Sequence, residues 1–176
     1  LLALNVEKNY AQSFEFARKW EESATTDASR FDAQLNALKS AYFTNNSVAV
    51  GEYANKVTRS NLASNEQIAT ANFYLGKMAY DKNDYSRAYP ALQSVTQNST
   101  SEIMPEAWHL LAQILYKQKK YDDAEQTIGD ANKASAGYDD WIARNLILVS
   151  DVYLDQGDKN SASAALEAVL ENYTGD

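Results

Sequence analysis

Apolar residues recur at helical spacing along most of this chain. Steps of three and four residues place each apolar set on one face of a helix, and no sustained alternation with a period of two indicates strands. One such pair of sets is Trp108, Leu111, Ala112 and Leu115, followed by Ala124, Ile128 and Ala131. The pattern predicts helices near 9–23, 31–44, 48–60, 65–81, 85–98, 104–118, 121–134, 140–155 and 159–173.

Short polar segments separate these helices at an almost constant interval. The segments end at Tyr10, Val48, Tyr85, Tyr121 and Lys159, which are 38, 37, 36 and 38 positions apart. A period in this range is typical of arrays of helical hairpins, because one hairpin is too small to bury its apolar face alone. The interval therefore favours a binding scaffold over an enzyme with a single active site.

Capping residues mark several of the helix starts. Ser64 and Gln67 have the spacing of a capping box, in which each side chain binds the backbone N–H of the other residue. Asp84 and Asp158 stand where they can cap the second helices of their hairpins.

The two prolines have different consequences for the helices. Pro105 suits a first helical turn, where a backbone N–H has no intrahelical partner. Pro90 falls near the second turn of helix 85–98, so we expect a kink or a 3₁₀ start there.

Composition narrows the classes of partner. The 176 residues are 45% apolar and 23% charged, as in an ordinary folded protein, and the net charge is −8. An acidic chain without a basic stripe repels phosphate backbones, which disfavours nucleic acid as a partner. The absence of cysteine excludes disulfides and thiolate chemistry, and no apolar run reaches the roughly 20 residues of a membrane helix.

The hairpins resemble tetratricopeptide repeats. Trp108 to Ala112 and the pair Leu75-Gly76 match parts of the family pattern, while Gly51 and Asn55 depart from it. The pattern's small residue and the bulky residue four positions later appear as Ala88 with Leu92, Ala124 with Ile128, and Ala162 with Leu166. The resemblance implies an all-α fold, a right-handed α-solenoid of antiparallel helix hairpins.

The resemblance also implies one array over residues 1–176. It would hold a partial repeat at 1–23 and repeats at about 31–60, 65–98, 104–134 and 140–173. Residues 1–6 are expected to end one more helix, so the array is expected to continue upstream.

Two longer stretches, 138–153 and 165–173, resemble bacterial cell-envelope repeat proteins. Those relatives include periplasmic Tol-Pal coordinators and outer-membrane assembly lipoproteins, with Bacteroidetes-type versions the most similar. The resemblance implies a periplasmic or outer-membrane-associated protein that organises partners, and a cytoplasmic location stays open.

In the family, the first helix of each hairpin lines a concave groove. Phe43, Tyr80 and Tyr116 occupy one repeat position, where they would form an aromatic track suited to an extended peptide. Packing between adjacent hairpins is the competing interpretation of these rings. The groove positions are Asn36, Ser40, Phe43, Phe73, Lys77, Tyr80, His109, Gln113, Tyr116, Ile147, Asp151 and Leu154.

The sequence gives little support for catalysis or metal binding. His109 is the only histidine, and a triad would need a serine and an acid beside it. Asp151 and Asp155 are four apart on one helix, as a metal pair could be, but a solvated acidic face is the simpler interpretation. We therefore predict no catalytic residues, no metal and no cofactor.

The predicted function is protein or peptide binding within a larger assembly, without catalysis. A glycan-binding envelope lipoprotein, with tyrosines as sugar platforms, is one alternative. A targeting module for a catalytic domain elsewhere in a larger enzyme is another. Self-association through an exposed first hairpin is a further prediction.

Overall fold

The computed structural model describes residues 9–173, which form helices joined by short turns. Most bounds lie within two residues of the predicted ones, and the predicted all-α solenoid of antiparallel hairpins is confirmed. The helices are α1 (Tyr10–Ser23), α2 (Asp27–Phe43), α3 (Ser47–Thr58), α4 (Asn65–Asp81), α5 (Tyr85–Asn98), α6 (Ile103–Lys117), α7 (Tyr121–Ala134), α8 (Asp139–Gln156) and α9 (Lys159–Asn172). The expected helix end at residues 1–6 lies outside the described residues.

Helix α2 begins a full turn earlier than the sequence pattern predicts. The side-chain oxygen of Thr26 accepts a hydrogen bond of 3.1 Å from the backbone N–H of Ser29. A capping threonine satisfies one of the backbone donors that a helix start leaves unpaired. The predicted start near residue 31 was wrong because the apolar pattern alone does not register this polar first turn.

The chain divides into two compact units, with the boundary between Ala91 and Leu92 inside α5. In the first unit, α1 packs on α2, α2 on α3, and α3 on α4. Ala37, Ala41 and Ala54 are fully buried there. Such small side chains let neighbouring helices approach closely and fill the interior at high density.

In the second unit, α6 packs on α7, α7 on α8, and α8 on α9, and α6 also contacts α8. Ile114, Ile128 and Val152 are buried in its core, beside small residues such as Ala112 and Ala124. The prediction of one array over residues 1–176 stays a prediction.

One turn geometry recurs at the end of the first helix of each hairpin. Asn45, Asn83, Lys119 and Gly157 have φ of 56°, 58°, 59° and 85°, which is the left-handed region. After each of them, a backbone N–H donates to a carbonyl five residues earlier, as in a Schellman motif. These bonds are Asn46 to Ala41 (2.9 Å), Asp84 to Ala79 (2.9 Å), Lys120 to Leu115 (3.0 Å) and Asp158 to Tyr153 (2.9 Å).

The predicted caps are confirmed. Both hydrogen bonds of the Ser64–Gln67 capping box are present, at 3.2 and 2.8 Å. Asp84 accepts from the backbone N–H of Arg87 at 3.3 Å, and Asp158 accepts from that of Ser161 at 3.0 Å.

The prolines behave differently from each other. Pro105 lies in the first turn of α6 and is buried, as predicted. Helix α5 is α-helical from Tyr85 onward with Pro90 inside it, so the expected 3₁₀ start was wrong. Pro90 cannot donate to the carbonyl of Ser86, and a kink at this point stays a prediction.

Within residues 9–173, none of the helices combines the length and the apolar character that crossing a bilayer requires.

Candidate functional site

The predicted groove residues of the first unit differ widely in exposure. Ser40 and Phe73 are buried among the helices and leave little surface for a ligand. Asn36 is partly exposed, and its side-chain N–H donates to the carbonyl of Asp32 at 2.8 Å. The accessible part of the predicted set in this unit is therefore Asn36, Phe43, Lys77 and Tyr80.

Phe43 belongs to an aromatic cluster and still reaches solvent. Its ring stacks on Tyr10 with centroids 4.5 Å apart, and it meets the edge of Tyr42 at 5.3 Å. Tyr42 in turn stacks on Tyr74 at 4.0 Å. Phe43 nevertheless remains 49% exposed, so one face packs between helices while the rest is open to a partner.

Lys77 and Tyr80 lie one helical turn apart on α4. The ammonium of Lys77 is 5.8 Å from the ring centroid of Phe73, which places a cation beside the aromatic cluster. The Tyr80 ring is 5.9 Å from that of Tyr85, and burial followed by the charge of a nearby tyrosine raises the pKa of Tyr80.

In the second unit, His109 is buried and hydrogen-bonded at both ring nitrogens. Nδ1 lies 2.8 Å from Oδ1 of Asn145, and Nε2 lies 3.0 Å from Nε2 of Gln113. The ring also contacts Trp141 at 5.6 Å, and the Arg144 guanidinium lies 5.2 Å from the Trp141 centroid. These partners suit a neutral histidine that joins α6 to α8.

Tyr116 lies in a tyrosine–carboxylate cluster at the end of α6. Its ring is 6.1 Å from that of Tyr121, whose hydroxyl donates to Oδ2 of Asp155 at 3.3 Å. Burial raises the pKa of Tyr116, and so do its hydrogen bond with Asp155 and the charge of Asp151. The structure therefore brings together Tyr116 and Asp151, which the sequence placed on separate helices.

The rings of Tyr85 and Tyr121 were not predicted as site residues. Tyr80 with Tyr85 and Tyr116 with Tyr121 repeat the same tilted contact, with interplanar angles of 46° and 47°. The sequence signal for them is that two of the polar turns end in a tyrosine five residues after a groove tyrosine. These tyrosines mark the ends of polar turns in the sequence, and their ring contacts become visible only in the structure.

The last hairpin exposes an apolar and acidic strip on α8. Ile147 and Leu154 are large apolar residues that remain about half exposed, and Asp151 between them is exposed. Steps of four and three residues place all three on one helix face. This face continues the groove positions predicted for the second unit.

The histidine and the acidic side chains of residues 9–173 are of the residue types that bind metal ions. No group of three or more acidic or histidine side chains there could hold a metal ion. His109 contacts amide and aromatic side chains, as described above, and the exposed Asp155 accepts a hydrogen bond from Tyr121.

Consecutive helix hairpins that share one turn geometry define a class, the helical-repeat proteins. A family model described as "Anaphase-promoting complex, cyclosome, subunit 3" matches residues 35–131, which is more than half of the chain. A second model, described as "Tetratricopeptide repeat", matches residues 143–173. The chain belongs to the family of the first model, with repeats of the tetratricopeptide type, which generally mediate protein–protein interactions.

A solved structure shares the fold. The crystal structure of BtubC (BKLC) from P. vanneervenii aligns with a TM-score of 0.54 and 12% sequence identity, over 96% of this chain and 92% of that one. At this identity the likeness concerns the fold alone. No curated protein matches the chain.

Proposed function

We propose that this chain is a non-catalytic scaffold that binds a protein or peptide within a larger assembly. The observation that carries the proposal is the exposure of large side chains at one repeat position. Phe43 and Leu154 are 49% and 51% exposed, and Tyr80 and Tyr116 are partly exposed. Complete burial of a large apolar side chain is favourable by about 1.5–3 kcal/mol. A partner that covers these half-exposed residues therefore gains binding free energy from their burial.

The surface in the second unit favours a partner segment that carries lysine or arginine. Tyr116 and Tyr121 present aromatic rings beside the carboxylates of Asp151 and Asp155. A cation can contact such a ring face and pair with the adjacent carboxylates. The net charge of −8 would also attract a basic segment over longer distances.

The proposed location is the bacterial cell envelope, either periplasmic or outer-membrane-associated. Its support is the resemblance of stretches 138–153 and 165–173 to envelope repeat proteins. Fractionation of the native cell with an antibody against this chain tests it. Recovery with the cytoplasmic fraction would contradict the proposed location and leave the binding role unaffected.

Affinity capture from native cell extract tests the binding role, using the chain and a variant with Phe43→Ala, Tyr80→Ala and Tyr116→Ala. The control carries Phe16→Ala, Tyr89→Ala and Tyr138→Ala, which remove a matched set of one phenylalanine and two tyrosines at other accessible positions. Equal helicity of both variants by circular dichroism is required.

A partner retained by the parent and the control but lost from the site variant supports the proposal. Equal capture by all three proteins would move the binding surface elsewhere. A soluble oligosaccharide that quenches tryptophan fluorescence, with no captured protein, would favour the glycan-binding alternative.

A further inference from the structure

A cleft in the first unit lies between α3 and α4, and Arg87 and Ala91 of α5 also line it. Its volume is about 740 Å³, and Val50, Leu75 and Met78 contribute apolar lining. Small-molecule and side-chain pockets commonly measure about 300–1,000 Å³, so the cleft can hold several side chains. None of the predicted groove residues lines it.

At Gly51, helix α3 contributes no side chain to the wall of the cleft. Gly51 stands where the other hairpins have Ala88, Ala124 and Ala162, and a Cβ added there would meet no atom within 4 Å. Asn55 stands where a bulky apolar residue is expected. Its side chain instead donates to the carbonyl of Gly51 at 2.9 Å and stays exposed.

The rim of the cleft is positively charged. Lys82 and Arg87 both line it, and Asp84 is the acidic residue among the lining side chains. The Lys82 ammonium donates to Oγ of Ser47 at 2.6 Å, and Nε of Arg87 lies 3.3 Å from Asp84 Oδ2. These contacts orient two cations beside an apolar floor in a chain whose net charge is −8. The occupant that fits is apolar on one face and carries carboxylates next to that face.

Helix α9 of this same chain has that chemistry. Leu166 occupies the same repeat position as Leu92 and Ile128. It is 41% exposed, whereas they are 0% and 2% exposed. Leu170, one turn later, is 82% exposed. Glu167 and Glu171 each follow one of these leucines and are exposed, so the open face of α9 combines aliphatic side chains with carboxylates.

We propose that the α3–α4 cleft binds the exposed face of α9 from a second copy of this chain. The dimensions agree, because α4 rises about 10 Å between Leu75 and Lys82, whereas Leu166 and Leu170 are separated by about 6 Å along their helix. Both leucines therefore fit within the length of the cleft. The glutamates then lie at the rim with Lys82 and Arg87, where opposite charges favour this register.

The contact joins two different surfaces and is therefore heterologous. After the first contact forms, the pair still offers one free cleft on one copy and one free α9 face on the other, so association continues as an open chain or closes into a ring. This surface differs from the first hairpin, for which the sequence predicted self-association, and it does not depend on the peptide-binding role.

Sedimentation equilibrium over a series of protein concentrations tests the proposal. We expect the average mass of the parent to rise with concentration. Charge reversal on either side, by Lys82→Glu with Arg87→Glu or by Glu167→Lys with Glu171→Lys, should weaken association by about tenfold or more. An equimolar mixture of the two reversed variants should associate again, because each cleft then meets a complementary α9.

Two further variants separate this interface from general charge effects. Gly51→Leu places a side chain in the open space of the cleft, improves helix propensity and should abolish association without a change in charge. Lys39→Glu with Arg59→Glu changes the net charge as much as the rim variant does, at exposed positions that do not line the cleft.

A parent that stays monomeric at every concentration overturns the proposal. It is also overturned if folded Gly51→Leu associates as the parent does, if the Lys39/Arg59 control is as impaired as the rim variant, or if the mixed variants fail to associate.

Discussion

His109 Nδ1 and Asn145 Oδ1 lie 2.8 Å apart in the interior of the second unit, and this contact defines the protonation of the ring. The Asn145 amide donates to Oδ1 of Asn132 at 3.0 Å, so its own oxygen faces the histidine as an acceptor. Nδ1 therefore carries the proton, and Nε2 accepts from Gln113 at 3.0 Å. A neutral ring satisfies every bond in this network across α6, α7 and α8.

Protonation of His109 should destabilise the fold as the pH falls. Burial lowers the pKa of His109 below its ordinary value of 6.5 and outweighs the hydrogen bond with Asn145, which raises it; the charge of Arg144 lowers it further and that of Glu106 raises it slightly. Because the folded pKa is the lower one, the unfolded chain binds more protons in this range. The contribution of the neutral ring is complete above pH 6.5 and is lost as the pH falls through the folded pKa, with a slope of at most about 1.4 kcal/mol per pH unit.

Urea denaturation between pH 7.5 and pH 5 measures this slope, and His109 is the only histidine in the chain. The variant His109→Asn keeps a side-chain N–H that can donate to Asn145. It should unfold at lower urea concentration at pH 7.5 but lose most of the pH dependence above pH 5. An unchanged slope in His109→Asn would contradict this assignment.

Lys120→Asp should stabilise the chain by about 1 kcal/mol. Lys120 precedes α7 at the position where Asp84 and Asp158 cap their helices, and it makes no side-chain cap bond. Aspartate would accept from the first-turn N–H groups and complement the helix dipole. Lys120→Ala removes the charge without a cap, so thermal unfolding should show a gain for aspartate that alanine does not reproduce.

Substitutions at the left-handed turn residue should change the free energy of unfolding in opposite directions in two hairpins. Lys119 has a φ of 59° where other hairpins use asparagine or glycine, so Lys119→Asn should stabilise by about 1 kcal/mol. Gly157 has a φ of 85°, and Gly157→Ala should destabilise by about 1 kcal/mol although its Cβ meets no neighbour. Chemical denaturation of both variants gives the signs, and equal signs would contradict a backbone origin.

Glu21→Gln should destabilise the first unit by about 1–3 kcal/mol at neutral pH. The Glu21 carboxylate accepts from Gln34 at 2.8 Å, from the Tyr53 hydroxyl at 3.1 Å and from Lys56 at 3.0 Å. Burial alone would raise the pKa of Glu21, but these bonds outweigh it and leave the pKa below its ordinary value of 4.5. Burial, followed by the charge of Glu21, raises the pKa of Tyr53 to about 12.

Because the folded pKa of Glu21 is lowered, its contribution is present above pH 4.5 and is lost as the pH falls through the folded value. The difference in unfolding free energy between the parent and Glu21→Gln should therefore shrink at acidic pH. Tyr53→Phe serves as the second arm of a double-mutant cycle at neutral pH. Strict additivity of the two substitutions would show that the hydroxyl and the carboxylate are not coupled.

Short sequence patterns predicted most helix starts and ends correctly. The Ser64–Gln67 box, the caps at Asp84 and Asp158 and the recurring polar turns each depend on a few adjacent residues, and the structure contains them all. The start of α2 was missed because Thr26 lies outside the apolar pattern that marked this helix.

Sequence patterns predicted only part of the candidate binding site. Repeat positions predicted which residues are equivalent, but equivalent positions differ in burial. Phe73 is buried whereas Ile147, at the same groove position, is about half exposed, and Leu166 is exposed where Leu92 is buried. These differences arise because each side chain meets a different neighbour across the helix pair.

The sequence by itself therefore determined the helices, their caps, their turns and the hairpin period, since hydrogen bonds within a few residues and a short-range apolar pattern specify them. Only the tertiary structure decided that His109 meets Asn145 in the interior, that Tyr116 shares a surface with Asp151 and Asp155, and that Gly51 lines an open cleft. Those outcomes depend on side chains more than 20 residues apart in sequence, whose distances are set by packing between helices.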